Sequence, residues 1–300
     1  MHTAMTTSSV LTIGNFDGIH IGHRHLIETT IALARASGAE AVLLTFSPHP
    51  RQFITPCRHF FIVPETEKLH ILENLGQDEV IYLDFAAMKN LSPEDFLTKA
   101  ILPLNPCAIV LGENYIFGHN RSGDISTLRS LCLPYGISVH SLSMQFWEGA
   151  TVSSTRIRQA ILQGDMASAA TMLGRPYTMR GVVEKGAGRG HTLGFATANI
   201  RADDQILPPL GVYATCVCFG EAATRLPAVT AVTRTPTFQV GDAAVETHIL
   251  DYDQSIYGQT ISVEFISKLR DEKTFSSKDA LIEQIRIDCR RARTALKGMI

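Results

Sequence analysis

No stretch of this chain approaches the ~20 consecutive apolar residues that a membrane-crossing helix requires, although 45% of its 300 residues are hydrophobic. The opening MHTAMTTSSV has neither the charged part nor the long apolar part of a secretory signal. Charge of one sign is also missing: 27 Lys and Arg against 29 Asp and Glu leave a net charge of −2. That balance gives no ground for binding nucleic acid or an anionic membrane surface. The six cysteines, at 57, 107, 132, 216, 218 and 289, contain no CxxC pair, so neither a disulfide framework nor a zinc ribbon is indicated. Cys216 and Cys218 stand two apart in a strand-like run and read as small packed residues on one face. These absences lead to the expectation of a soluble, cytoplasmic protein in a reducing compartment, with small molecules as its partners. The length suggests two domains, and the apolar fraction suffices for ordinary cores.

What is present begins with alternation. Strand-like runs at 9–13, 41–46, 80–83, 108–111 and 137–142 alternate with helical patterns at 23–37, 64–75, 92–101, 125–133, 154–162 and 166–173. Gly38 and Gly76 follow two of the helices as stop signals, and Ser92 opens a capped one. Such alternation gives a parallel sheet joined by right-handed crossovers, with ligands bound at the C-terminal ends of the strands.

The stretch LTIGNFDGIHIGHRHLI, residues 11–27, carries the sharpest signal. A short strand runs into Gly14, a turn that holds Phe16 follows, and a helix opens near His20 and His23. Free N–H groups and the dipole at a helix start favour a phosphate. His20 and His23 are three apart, hence on one helical face, and Gly22 between them leaves room for a ligand against the backbone. The alternatives are a histidine-rich surface turn or part of a metal site. Three further stretches follow strands. In TFSPHPR the prolines predict a stiff, extended path that presents His49 and Arg51, or simply a stiff surface loop. In GENYIFGHNRSGD, residues 112–124, a polar centre between glycines suits a ribose or base, or else the loop is held by an aromatic plug. In VSSTRIR, residues 152–158, the serines read as helix caps, whereas Arg156 and Arg158 oppose the dipole of the helix they open. That conflict points to an anionic partner.

Gly174-Arg175-Pro176 ends the helical run, and short β-branched runs follow at 178–183, 211–219, 228–232, 244–250 and 260–265. They predict a small antiparallel barrel. A last helix at 278–295 carries Leu281, Ile285 and Cys289 as its apolar stripe. Between the first two runs lies GAGRGHTLGFATAN, residues 186–199. Its glycines could cradle phosphate, and Thr197 and Asn199, two apart in extended chain, would present two oxygen donors the same way. A glycine-rich hairpin is the bland alternative.

In order and spacing, GNFDGIHIGH, TFSPHP, LGENYIFG…GD and SSTRIR resemble the first half of the bacterial bifunctional riboflavin kinase/FMN adenylyltransferases, the prokaryotic FAD synthetases. The glycine-rich stretch, LPPLGVYAT, PTF, VETHILDYD and VEFISKLRDEKTF continue the resemblance through nearly the whole chain. It implies a Rossmann-like nucleotidyltransferase domain over 1–174 and a riboflavin kinase-like barrel with a C-terminal helix over 175–300. In the first, the phosphate of FMN would attack the α-phosphorus of ATP, giving FAD and pyrophosphate. His20 and His23 would steady the triphosphate; Arg158, with Ser154, would hold the leaving pyrophosphate; Asn114 would meet the ribose. Gly14 and Phe16 complete the implied ATP site, and Pro48, His49 and Pro50 stand on the flavin side. In the second, riboflavin would take the γ-phosphate of ATP. Glu246 would accept the hydroxyl proton, Gly188, Arg189 and Gly194 would cradle phosphate, and Thr197 and Asn199 would hold Mg²⁺. The chain departs from the family pattern at His191, Ala196 and residues 231–235. The alternative is therefore an adenylyltransferase whose second domain only binds flavin or packs, and a third reading is a flavin-binding regulator.

Overall fold

The computed structural model describes residues 7–57, 59–184, 195, 197–200, 205–220, 224–234 and 243–300. It divides into two compact units. One comprises the chain up to Cys57 together with Glu65–Ser153; the other comprises the segment from there to Pro64 together with Ser154–Ile300. The boundary drawn from sequence at 174 falls inside the second unit, two helices after its long segment begins.

The first unit is built on five parallel strands, β1 (Ser9–Ile13), β2 (Glu40–Ser47), β3 (Glu79–Asp84), β4 (Pro106–Gly112) and β5 (Ser138–Leu142), in the order β3-β2-β1-β4-β5. The central strands are buried on both faces, which is why they read as continuous apolar runs. Leu11, Val42, Leu44, Ile109 and Leu111 pack on one side of the sheet. Val10, Ala41, Ala108 and Val110 pack on the other with Ala34 of α1 (Ile21–Ser37). Gly38, at φ 65°, ends α1 and returns its N–H to the last turn.

Some local structure differs from the sequence reading. The prolines of TFSPHP do not hold an extended path. Pro50 instead opens a short helix, α2 (Pro50–Ile54), as its first residue, a position where the missing N–H costs nothing. The helix expected over 92–101 is a single α-turn, α5 (Pro93–Phe96), which loosens into a π turn at Leu97–Ile101 and tightens into a 3-10 turn at Leu102–Leu104. Pro103 cannot donate to the preceding turn, and Asn105 closes the segment at φ 47°. Three helices complete the unit: α3 (Glu65–Asn74), α4 (Phe85–Met88) and α6 (Ile125–Cys132). A two-stranded hairpin, β6 (Phe146–Trp147) and β7 (Ala150–Thr151), turns on Glu148 and Gly149, both at positive φ.

The second unit opens with α7 (Ser154–Gln163) and α8 (Met166–Leu173). Six strands then close an antiparallel barrel: β8 (Tyr177–Glu184), β9 (Ala198–Ile200), β10 (Gly211–Phe219), β11 (Leu226–Arg234), β12 (Ala243–Ile249) and β13 (Thr260–Asp271). Their order is β10-β11-β12-β9-β8-β13. Inside, Thr230 joins Thr215 at 2.8 Å and Thr247 at 2.9 Å, a buried ladder in which each hydroxyl can both give and accept. Outside, α9 (Lys278–Ala295) covers Val212, Ala214, Cys216 and Leu269 with Ala292. Asp288 of α9 is 1% exposed and receives the Nε of Arg270 from β13 at 2.9 Å and the amide of Gln284 at 2.9 Å. All six cysteines are free thiols.

Candidate functional site

In the first unit, strand order reverses at β1, whose neighbours β2 and β4 are followed by connections running opposite ways. The crevice past the C-terminal ends of β1 and β4 is where such sheets bind ligands. The turn after β1 and the loop after β4 are two of the stretches that the sequence singles out.

The turn is held from below. Gly14 donates to the Leu44 carbonyl at 3.0 Å, and Phe16 and Ile19, both buried, take positive φ. A Cβ on Gly14 would lie 3.1 Å from the Phe16 ring, so the glycine is what lets that ring fold beneath the turn. His20 then caps α1: its Nδ1 accepts from the backbone N–H of His23 at 3.2 Å. Since Nδ1 accepts, the ring proton of His20 is on Nε2. The two imidazoles stack with centroids 3.6 Å apart and planes at 17°, and the Phe16 ring meets His23 edge-on at 5.2 Å. Gly22 serves this stacking directly. A Cβ there would stand 3.2 Å from the His20 ring, so the space left by glycine is occupied by the imidazole.

The turn itself carries one acidic residue, the buried Asp17. The first turn of α1 contains no acidic residue, whereas α3, α5 and α9 each carry one or two. The pKa of His23 is held well below the usual histidine value, first by burial, then by the adjacent His20 and by Lys68. Among the described residues its Nδ1 is buried with no hydrogen-bond partner. Such a nitrogen is costly unless a ligand satisfies it. Lys68 of α3, 2% exposed and paired with Glu65 at 2.7 Å, was not singled out from sequence. Its place one turn before the buried Leu72 on an otherwise apolar face was the available signal.

After β4, Asn114 is exposed and its Oδ1 lies 3.3 Å from where a Gly112 Cβ would be. The aromatic plug is also real. Phe117 is in the core, stacked on Tyr115 at 5.7 Å, and its ring lies 2.8 Å from a Cβ built on Gly123. Asp124 is the cap of α6, accepting from the Thr127 N–H at 2.8 Å, and that bond holds its carboxyl below the usual range. After β2, Pro48 is exposed and Pro50 half-buried. His49 is folded back as the cap of α2, accepting from the Arg51 N–H at 3.2 Å.

In the second unit, Ser154 begins α7, whose first turn also lacks an acidic residue. Arg158 is 9% exposed. Its Nε donates to the Phe60 carbonyl at 3.1 Å, and its guanidinium lies 4.1 Å over the Phe60 ring. On the barrel, Glu246 of β12 is the register partner of Asn199 on β9 and of Ala231 on β11. The alternation of buried Val245, Thr247 and Ile249 with half-buried Glu246 and His248 puts Glu246 on the outer face. Thr197 shares the parity of Asn199 and is likewise half-buried. His248 meets the ring of Phe195 edge-on at 5.3 Å, a pairing that the sequence did not suggest. Residues 231–234 run as regular strand paired with β12. Gly188, Arg189, His191, Gly194, Ala196 and Thr235 lie outside the described residues.

The FAD synthetase family model matches residues 2–156, and the riboflavin kinase model matches residues 173–296. The chain is 33% identical to the bifunctional riboflavin kinase/FMN adenylyltransferase of Escherichia coli (strain K12), over 93% of this chain and 90% of that one. It is 31% identical to the protein of the same description from Listeria monocytogenes, over 96% and 94%. A crystal structure described as a macrolide-efflux protein from Streptococcus pneumoniae matches with a TM-score of 0.88 at 32% identity, covering 97% of this chain and 95% of its own. Among the described residues, no helix is long and apolar enough to cross a membrane.

Proposed function

The chain belongs to the bifunctional riboflavin kinase/FMN adenylyltransferase family, and we propose from this premise which of its residues carry each of the two reactions. The protein phosphorylates riboflavin to FMN and joins FMN to the AMP of ATP, giving FAD and pyrophosphate. Its substrates are ATP, riboflavin and FMN.

Adenylyl transfer belongs to the corner of His20 and His23. The nucleophile, an FMN phosphate oxygen, is already an anion, so the step needs alignment and charge neutralisation rather than a strong base. The observation that carries this assignment is the buried Nδ1 of a neutral His23, without a hydrogen-bond partner among the described residues and stacked on a His20 whose Nε2 is a donor. A polyphosphate offers oxygens to both rings and to the first-turn N–H groups. Charge developing on the leaving pyrophosphate would strengthen the hydrogen bonds that the imidazole N–H groups donate to it, a demand that exists only as the bond to the α-phosphorus breaks. Arg158, with Ser154, is assigned to the leaving pyrophosphate, whose paired oxygens suit a guanidinium fork. Asn114 is assigned to the ribose of ATP, and Pro48, His49 and Pro50 to the flavin side. Gly14 and Phe16 support the turn.

Riboflavin phosphorylation needs a base, because its nucleophile is an alcohol. Glu246 is assigned that role: it would accept the proton of the 5′-hydroxyl as the oxygen attacks the γ-phosphorus of ATP. The amide oxygen of its register partner Asn199 and the hydroxyl of Thr197 are hard donors of the kind that Mg²⁺ prefers, and the group fits that ion together with ATP oxygens. When bound, Mg²⁺ neutralises phosphate charge. Gly188, Arg189 and Gly194 are assigned to the phosphate cradle on the strength of their motif. We place the protein in the cytoplasm, where free thiols and ATP are both at home.

Purified protein with ATP and Mg²⁺ should be given either FMN or riboflavin, and the flavins separated by chromatography. FAD from both substrates is the expected result. FAD from FMN alone would reduce the barrel to a flavin-binding module.

A further inference from the structure

The segment preceding α3 leaves the first unit and is fastened to the barrel unit. Phe61 pairs with Gln205 as a parallel bridge, and the Ile206 N–H donates to the Phe61 carbonyl at 2.8 Å. The Gln205 side chain is 1% exposed. Its amide nitrogen donates to the Ile62 carbonyl at 2.9 Å and to the Thr178 carbonyl of β8 at 2.7 Å. Both N–H groups of one buried amide are thus used to tie the segment to the barrel wall, and no other uncharged side chain of similar length supplies two such donors. His59 completes the attachment through Nδ1, 3.2 Å from the Gln205 carbonyl.

The residue fastened in this way is Phe60, 4% exposed, which holds Arg158 from two directions. Its carbonyl takes the Nε proton, and its ring lies beneath the guanidinium. An arginine otherwise has a long, freely rotating stem, and a fixed plane is what makes its fork match two phosphate oxygens. Stacking on an aromatic face in a desolvated place adds to the hold.

We propose that Phe60 and Gln205 are positioning residues for adenylyl transfer, acting through Arg158. Gln205 lies in the part of the chain that matches the riboflavin kinase model, so a residue of the kinase half serves the other reaction. The inference rests on the reading of Arg158 as the pyrophosphate ligand.

The test compares Phe60→Leu, Phe60→Tyr, Gln205→Leu and Arg158→Ala in the full chain. Three readouts are taken on each preparation: FAD formation from FMN, inhibition of that reaction by pyrophosphate, and riboflavin phosphorylation. Phe60→Leu keeps apolar volume but removes the ring. It should lower FAD formation by about 10- to 100-fold, the scale of a misplaced catalytic group, and weaken pyrophosphate inhibition, with riboflavin phosphorylation unchanged. Phe60→Tyr should restore both, and Gln205→Leu should follow Phe60→Leu. Phe60→Leu added to Arg158→Ala should slow FAD formation no further. Should Arg158→Ala abolish FAD formation while Phe60→Leu and Gln205→Leu keep the normal rate, the positioning role is overturned and the reading of Arg158 stands. Equal loss of both reactions in the Phe60 and Gln205 variants would also overturn it, by making them fold-supporting residues only. A normal rate in Arg158→Ala would remove the reading beneath it, and the inference with it.

Discussion

Asn199 and Glu246 stand directly opposite each other on β9 and β12, on the outer face of the barrel. Forty-seven residues separate them in sequence; the antiparallel register makes them neighbours whose side chains share one surface. A carboxylate and an amide oxygen so placed can divide the work of accepting a proton and holding a cation. Asn199→Ala is expected to raise the Mg²⁺ concentration required for riboflavin phosphorylation by at least roughly tenfold, the equivalent of losing about 1.5–3 kcal/mol of interaction with a charged group. Initial rates across a magnesium titration check this, with FAD formation from FMN left as it was.

Gly22 is where the His20 ring lies against the backbone. In Gly22→Ala the new methyl would stand 3.2 Å from that ring, closer than ordinary contact, so the imidazole must give by a few tenths of an ångström and its stack with His23 is disturbed. We expect FAD formation to fall by about 10- to 100-fold without change in riboflavin phosphorylation. Imidazole chemical shifts would report the displaced stack.

The buried, neutral state of His23 has a consequence for stability. Its folded pKa lies below the unfolded value of 6.5. Below pH 6.5 the unfolded chain therefore binds a proton that the folded one does not, and stability falls as pH drops through that value towards the folded pKa. Urea unfolding of the first unit between pH 7.5 and pH 5.5 should show this slope, and His23→Gln should flatten it. ATP should raise the pKa of His23, since phosphate charge favours the imidazolium, and proton uptake should accompany binding.

Asp288 anchors α9 to β13 through Arg270 with both partners largely out of solvent. Asp288→Ala leaves that guanidinium uncompensated and should destabilise the barrel by about 3–5 kcal/mol. Thermal unfolding checks this, together with loss of riboflavin phosphorylation near the lowered melting point.

Much of this was legible in the sequence, for identifiable reasons. The run at 9–13 and the helix at 278–295 match their elements, because buried parallel strands and capped amphipathic helices leave unbroken signals. The meeting of His20 and His23 at one helix start is legible because a strand, a glycine turn and a helix start are local. Three kinds of feature were hidden. β9 has only three residues and follows a glycine-rich stretch, so its pairing with β12 shows no local pattern. Pro50 looked like a stiff loop residue because a five-residue helix has too few positions to show a period. Phe60 and Gln205 escape a sequence reading because their contacts are long-range: 98 residues separate Phe60 from Arg158, and 143 separate Ile62 from Gln205. The sequence reads Gly22 as leaving space for a ligand, whereas the fold fills that space with the His20 ring, a contact that no local pattern shows.

The most direct test of two reactions on two separate sets of residues pairs His23→Ala with Glu246→Ala and supplies each with FMN and, separately, riboflavin. His23→Ala should lose FAD formation and still convert riboflavin to FMN. Glu246→Ala should lose that conversion and still make FAD from FMN. If the two substitutions silenced the same reaction, a corner for adenylyl transfer and a barrel face for phosphorylation could not both be right.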